Sequence, residues 1–70
     1  MSQEIRKILA LNIEKLRTLK KMSKEELFLA LGVDNSYISK LEKCKMNITL
    51  DKIEQLAECL NTTSYLLLKP

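Results

Sequence analysis

Residues 35–43 carry polar and basic side chains at a spacing that suits nucleic-acid recognition. On a helical wheel, Ile38 and Leu41 fall together on one side, with Tyr37 beside them. The opposite side and the N-terminal edge hold Asn35, Ser36, Ser39, Lys40 and Lys43. Asparagine can pair with adenine, lysine can reach guanine, and serine can bind a base or a phosphate. This pattern favours a helix that enters a major groove, although composition alone fits an ordinary solvated surface equally well.

Lysines on both sides of this segment are placed to bind the phosphates of a duplex. Lys24 opens the preceding predicted helix, where free backbone amides already attract an anion. Lys43 and Lys45 follow the segment and are expected to contact the backbone on its far side. The net charge is +3, and residues 1–45 contain ten of the twelve basic side chains. This uneven distribution favours one face for a polyanion such as double-stranded DNA.

The spacing of apolar residues predicts that helices position these side chains. The 70-residue chain has one glycine and one proline, and it lacks the two-residue alternation of half-buried strands. Apolar residues at three- and four-residue steps predict a first helix over roughly 3–20 and a fourth over 50–60. A short fifth helix is expected to end near Leu68. The predicted fold class is therefore all-α, a five-helix bundle.

Capping residues delimit the second and third predicted helices. Ser23 and Glu26 form the S-x-x-E pattern of a capping box, so the second helix begins directly after Ser23. It ends before Gly32, which takes a left-handed conformation without steric cost. Asp34 then caps the third helix. The short, glycine-containing link between the two helices predicts a helix-turn-helix over residues 24–43.

Composition argues against several other kinds of protein. The chain has no histidine and two isolated cysteines, so we expect no zinc site, no disulfide framework and no cofactor. Unpaired thiols favour a reducing compartment, and no apolar run approaches the roughly 20 residues that span a bilayer, which favours the cytoplasm over a membrane. Neither a glycine-rich phosphate loop nor a nucleophile with a nearby base is present, so an enzyme is not expected. We predict one domain over residues 1–70, with no small-molecule ligand.

Four short motifs follow one another along the chain. They are N-I-E-K-L-R at 12–17, M-S-K-E-E-L at 22–27, L-G-V-D-N-S-Y-I-S-K-L-E at 31–42 and N-I-T-L-D at 47–51. The stretch from Leu9 to Leu68 contains all four motifs. It resembles the helix-turn-helix of phage repressor and Cro-type (xenobiotic-response-element-like) regulators, a family that includes controller proteins of restriction–modification systems. The resemblance implies a lambda-repressor-like DNA-binding domain, usually dimeric, that regulates transcription at operators with two-fold symmetry.

The resemblance also implies roles for individual residues. The residues implied to contact DNA are Asn35, Ser36 and Lys40 at base edges, with Tyr37 and Ser39 beside them near the sugar–phosphate chain. Lys24 stands where the family most often has glutamine, and a lysine there keeps the phosphate contact. Arg17 of the first helix would form an ion pair with Glu42 at the end of the recognition helix, holding the third helix against the first.

Two positions depart from the family pattern. Phe28 stands where the family nearly always has alanine, which lets the second and third helices approach closely. The larger ring is expected either to separate these helices or to occupy a pocket toward the first helix. Cys44 stands where the family prefers glycine after the recognition helix, so we expect a differently shaped turn there.

Apolar residues near the C-terminus predict a contact between two copies of the chain. Residues 65–68 carry more apolar surface than one side of a short helix can bury. Either all four pack inside, or some of them form a two-fold interface. We favour a homodimer that uses Tyr65 and Leu66 together with the loop near Met46 and Ile48. A dimer would hold two recognition helices about one DNA turn apart.

Two other functions stay open on the sequence. A small helical protein-interaction module, such as an antitoxin or anti-repressor, would bind through Tyr65 and Leu66 rather than through Lys40 and Lys43. The first helix could also act as a basic amphipathic segment at a membrane or a partner. The second alternative is disfavoured because the other helices need the apolar stripe of that helix for their core.

Overall fold

The computed structural model describes residues 3–70, and within that range all regular secondary structure is helical. The helices are α1 (Gln3–Leu19), α2 (Lys24–Leu31), α3 (Asn35–Glu42), α4 (Leu50–Cys59) and α5 (Ser64–Leu68). The all-α, five-helix prediction is confirmed, and α1, α3 and α4 each end one residue earlier than predicted. The first two residues of the predicted 1–70 domain lie outside the described part of the chain.

Side-chain caps begin α2 and α3 at the predicted positions. The Glu26 amide donates to Ser23 Oγ at 3.0 Å, and the Ser23 amide donates to the Glu26 carboxylate at 2.9 Å. At α3, the Asp34 carboxylate accepts a hydrogen bond from the Tyr37 amide at 3.1 Å. Each cap pairs backbone N–H groups that the helix leaves without partners and stabilises the fold by about 1 kcal/mol. The caps thereby fix where α2 and α3 start.

Four helix ends are formed by residues with left-handed backbone conformation. Gly32, with φ of 77°, ends α2 as the sequence predicted, and Asn61, with φ of 54°, follows α4. Lys21 after α1 and Cys44 after α3 adopt the same conformation, with φ of 56° and 60°. A left-handed conformation brings Cβ of a non-glycine residue close to its carbonyl oxygen, at a cost of about 1 kcal/mol.

The turn after α3 keeps the shape that glycine would give it, so the expectation of a different turn at Cys44 is wrong. The Cys44 amide donates to the Leu41 carbonyl at 3.1 Å, and the Lys45 amide donates to the Lys40 carbonyl at 3.0 Å. This pair of bonds is the Schellman arrangement, which satisfies the last carbonyls of a helix. The two hydrogen bonds offset the steric cost of the left-handed cysteine.

Apolar residues from every helix meet in one core. Its buried members are Leu9, Ile13, Leu27, Leu31, Ile38, Leu41, Ile53, Leu56, Ala57, Leu60 and Leu67. Helix α1 packs on α3 and α5, α2 packs on α3 and α4, and α4 packs on α5. Burying a leucine or isoleucine side chain stabilises the fold by about 1.5–3 kcal/mol, so this core holds α3 in a fixed orientation.

Two polar side chains of α1 connect it to the C-terminal half of the chain. The Asn12 amide donates to the carbonyl of Leu67 at 2.7 Å and to that of Lys69 at 2.9 Å. The Arg6 guanidinium donates to the side-chain oxygen of Asn47, in the segment between α3 and α4. Carbonyls at the end of a helix have no partner within the helix, so Asn12 acts as a cap for α5.

Candidate nucleic-acid interface

Helix α3 is divided into an inner apolar face and an outer polar face. Ile38 and Leu41 are 0% and 4% exposed and anchor the helix in the core. Asn35, Ser36 and Lys40 are exposed, as the helical wheel predicts for their side chains. Packing therefore fixes the helix from one side and leaves hydrogen-bonding groups accessible on the other. A helix of this kind can be inserted into a groove without disturbing the core.

Ser36 is positioned by the residue that caps α3. Its hydroxyl donates to the Asp34 carboxylate at 2.6 Å. This hydrogen bond, followed by the one from the Tyr37 amide, lowers the pKa of Asp34 below its ordinary value of 3.8. The Ser36 proton is thereby engaged within the protein, and the oxygen lone pairs are left to accept from a donor outside. Amino groups of adenine and cytosine are such donors in the major groove.

A surface groove between α2 and α3 places Lys24 beside polar side chains of α3. The groove has a volume of about 410 Å³ and is lined by Lys24, Glu25, Phe28, Asn35, Ser36 and Ser39. Lys24 is 54% exposed in its side chain, and Ser39 is half-buried. The structure therefore brings together four of the residues predicted to contact DNA, three on α3 and one at the start of α2. Backbone amides and the ammonium group at that helix start together favour an anion.

The remaining predicted DNA contacts are not among the residues that line this groove. Lys43 ends α3, and Lys45 follows in the turn; both are exposed. Tyr37 is half-buried and packs against the core, and burial raises the pKa of its phenol. Tyr37 therefore has a structural role whether or not its hydroxyl reaches the sugar–phosphate chain. The lysines at the end of α3 also lie where the helix dipole favours positive charge.

Glu42 lies between two cations at the end of α3. Its Oε1 atom is 3.8 Å from Nε of Arg17, the residue with which it was expected to pair. Its Oε2 atom is 3.8 Å from Nζ of Lys24, a contact that sequence reasoning missed. The Arg17 and Glu42 side chains are 14% and 12% exposed, so the carboxylate is largely shielded from water. Glu42 thus connects α1 and the start of α2 to α3.

The Arg17–Glu42 contact is a close approach of charges rather than a directed hydrogen bond. Arg17 Nε and Glu42 Oε1 are buried and have no hydrogen-bond partner among residues 3–70. Arg17 instead donates from Nη1 to the Met22 carbonyl at 2.9 Å, in the turn between α1 and α2. One guanidinium therefore stabilises both the turn before α2 and the end of α3.

The Phe28 ring lies at the boundary between the core and the groove that separates α2 from α3. The side chain is half-buried and packs against the core from one side. It also lines the groove between α2 and α3, whose described lining includes no residue of α1. Helices α2 and α3 remain in contact. The contact between α2 and α3 is thus kept with the larger ring present, and the ring is shared between the core and the groove.

Part of the predicted dimer surface is exposed. Within residues 65–68, Tyr65 and Leu66 are 70% and 47% exposed, whereas the last two pack against the core. The alternative in which all four pack inside is therefore wrong. Met46 and Ile48 are half-buried and also contact the core, so they offer less free apolar surface than predicted.

The described part of the chain has neither a metal-ligating cluster nor a helix suited to a membrane. Across residues 3–70, no three histidine, cysteine, aspartate or glutamate side chains cluster in a way that would hold a metal ion. None of the described helices is long and apolar enough to cross a membrane.

The architecture and the exposed face of α3 define a helix-turn-helix protein, and comparison with known proteins agrees. Residues 13–67 match the family described as helix-turn-helix, HTH_3. The chain belongs to this family. The family assignment made from the sequence motifs is thereby confirmed, and the family is one of DNA-binding regulators rather than of enzymes.

Three relatives illustrate the similarity. A Neisseria meningitidis protein described as a hypothetical transcription factor is 40% identical over 68 residues, which cover 97% of this chain and 64% of the relative. The control protein C.SmaI of Serratia marcescens is 35% identical over 60 residues, covering 86% of this chain and 71% of the relative. The crystal structure of the restriction–modification controller protein C.AhdI from Aeromonas hydrophila superposes with a TM-score of 0.83 at 31% identity, covering 89% of this chain and 94% of that one. The chain thus spans less than two thirds of the Neisseria relative's length and most of the C.AhdI chain.

Proposed function

We propose that this protein regulates transcription by binding a specific sequence of double-stranded DNA, with α3 in the major groove. The observation that carries the proposal is the division of α3 into a buried face, Ile38 and Leu41, and an exposed polar face that begins at Asn35. Membership of the helix-turn-helix family and similarity to a transcription factor and to controller proteins support the same function.

The described side chains divide between the two tasks of a DNA-binding protein. Base edges are contacted by Asn35, Ser36 and Lys40, and the sugar–phosphate chain by Lys24, Tyr37, Ser39, Lys43 and Lys45. Phosphate contacts fix the register of the protein on the duplex, and base contacts supply sequence preference. Lys24 is suited to the first task because its ammonium group lies at a helix N-terminus on the rim of the groove beside α3.

Selection of binding sites from random duplexes, repeated at two salt concentrations, tests the proposal. We expect one enriched motif, and we expect the affinity for it to fall as the salt concentration rises. Each phosphate neutralised should contribute about 0.9 to the slope of log affinity against log salt. Recovery of no enriched motif, with affinity equal for all duplexes, would reject sequence-specific binding.

We further propose that the protein acts as a homodimer on a palindromic operator. Tyr65 and Leu66 supply exposed apolar surface on α5, which suits a two-fold contact. Sedimentation equilibrium of the Leu66→Ser variant should show weaker dimerisation than the original chain. The Leu29→Ser variant is the control, because Leu29 is also an exposed leucine but lies on α2. Equal dimer dissociation constants for the two variants would contradict an interface at Leu66.

A protein-interaction module is the second candidate, and the exposed Tyr65 and Leu66 are the observation that favours it. The two functions respond differently to mutation. Regulation through DNA requires Lys40 and Lys43, whereas an antitoxin or anti-repressor would depend on Tyr65 and Leu66 and tolerate loss of both lysines. In either case the protein acts without a catalytic site or a cofactor, and as a regulator it shares the compartment of the DNA that it binds.

A further inference from the structure

Phe28 is the one apolar side chain among the residues that line the α2–α3 groove. The other five lining residues carry an ammonium, a carboxylate, an amide and two hydroxyl groups. A ring at this place gives the polar groove an apolar wall. The wall lies directly beside Asn35 and Ser36, which the proposed function assigns to base edges.

The ring presents one side to the core and the other to the groove. Leu27 and Leu31, its neighbours on α2, are 0% and 7% exposed and fill the inner side of that helix. Phe28 is only half-buried, so part of its surface stays accessible. It follows Lys24 by four residues, which places the ring one turn along the same face of α2 as that ammonium group. A ligand that contacts both Lys24 and α3 is therefore expected to contact the ring as well.

We propose that Phe28 determines specificity by contacting the 5-methyl group of a thymine in the operator. The inference rests on the proposed function, with α3 in the major groove. On that edge of a duplex thymine presents an apolar methyl group, cytosine presents only a small hydrogen atom at the same ring position, and the other recognition points are hydrogen-bond donors or acceptors. An apolar wall among polar groups matches a base that presents a methyl beside an acceptor. Phe28 thus selects thymine over cytosine at one position of each half-site.

Replacement of thymine by deoxyuridine tests this role, because it removes the methyl and leaves every hydrogen-bonding group in place. Each thymine of the selected site is replaced in turn. The dissociation constant of the deoxyuridine duplex is then divided by that of the unmodified duplex. With the original chain we expect about a four-fold loss at one position per half-site, the value of one buried methyl group. With Phe28→Ala the ratio at that position should fall to one. Asn35→Ala is the matched control and should retain the ratio while binding more weakly overall.

A second measurement uses the unmodified chain and so does not depend on how Phe28→Ala folds. A duplex with 5-iododeoxyuridine at the methyl-sensitive position is irradiated, and tandem mass spectrometry locates the cross-link. Attachment at Phe28 supports the proposal, since iodine occupies the place of the methyl group. The proposal is overturned if no thymine shows a methyl effect, if Phe28→Ala keeps the full effect, or if the cross-link maps only to α3. Failure of the proposed function is distinct, because then no site is selected at all.

Discussion

The carboxylate of Glu42 lies 3.8 Å from Nε of Arg17, and this contact joins the end of α3 to α1. The two residues are 25 positions apart in sequence, so the pair links elements that local structure does not connect. Both side chains are largely shielded from water, which strengthens the attraction and raises the cost of leaving either charge alone. The orientation of α3 depends on this pair as well as on Ile38 and Leu41.

Removal of Glu42 should destabilise the fold through the charge left on Arg17. We expect Glu42→Gln to lower the free energy of unfolding by about 2 kcal/mol, between the values for exposed and fully buried pairs. Urea unfolding of Arg17→Met, Glu42→Gln and the double variant gives the coupling energy. The Arg17→Met and Glu54→Gln pair is the control, since Glu54 is exposed on α4. Equal coupling energies for the two pairs would contradict a specific role for Glu42.

Lys24 should contribute one phosphate contact. Lys24→Gln is expected to reduce the slope of log affinity against log salt by about 0.9. Lys69→Gln serves as the control, because Lys69 is an exposed lysine that follows α5. Affinities measured by fluorescence anisotropy at several salt concentrations give both slopes. An unchanged slope for Lys24→Gln would mean that its ammonium group contacts Glu42 but no phosphate.

The left-handed backbone at Lys21 predicts a stabilising substitution. Glycine adopts this conformation without steric cost, so Lys21→Gly should raise the free energy of unfolding by about 1 kcal/mol. Alanine keeps Cβ, and Lys21→Ala should therefore give no comparable gain. Thermal and urea unfolding of the two variants measure the difference. A gain of the same size in both would show that charge, not backbone conformation, is responsible.

The Asp34 cap predicts that the stability of the fold depends on pH in the acidic range. Because folding lowers the pKa of Asp34, its contribution to stability is complete above the ordinary value of 3.8 and is lost as the pH falls through the folded-state pKa. Removing the largest cause, the Ser36 hydroxyl, should raise this pKa. Carbon-detected NMR titration of Ser36→Ala measures it, with Ser39→Ala as the matched serine control on the same helix. A pKa for Asp34 that is the same in Ser36→Ala and the original chain would contradict the assignment.

Local signals predicted the elements well because helix ends are determined by nearby residues. Ser23 and Asp34 cap helices and Gly32 ends one, each through backbone groups a few positions away in the sequence. The structure places all three as predicted. The left-handed Cys44 was missed because the residue type disfavours it and hydrogen bonds of the folded turn compensate.

Contacts between elements were predicted only in part. The family resemblance supplied the Arg17–Glu42 pair, but no sequence spacing indicated that Lys24 would share the same carboxylate. The cap that Asn12 provides for α5 joins residues more than fifty positions apart and depends on how α1 packs. The place of Phe28 in the groove likewise follows from the angle between α2 and α3, which the sequence pattern does not determine.

The affinity of Lys40→Ala for the selected duplex is the most direct test of α3 as the reading helix. The side chain is exposed and its loss leaves the core intact, so stability should not change. We expect about a 5- to 150-fold loss of affinity, corresponding to about 1–3 kcal/mol for one specific base contact, with relaxed preference at one base pair. Lys69→Ala should bind as tightly as the original chain. Equal affinities for Lys40→Ala and Lys69→Ala, with the base preference unchanged, would contradict the account.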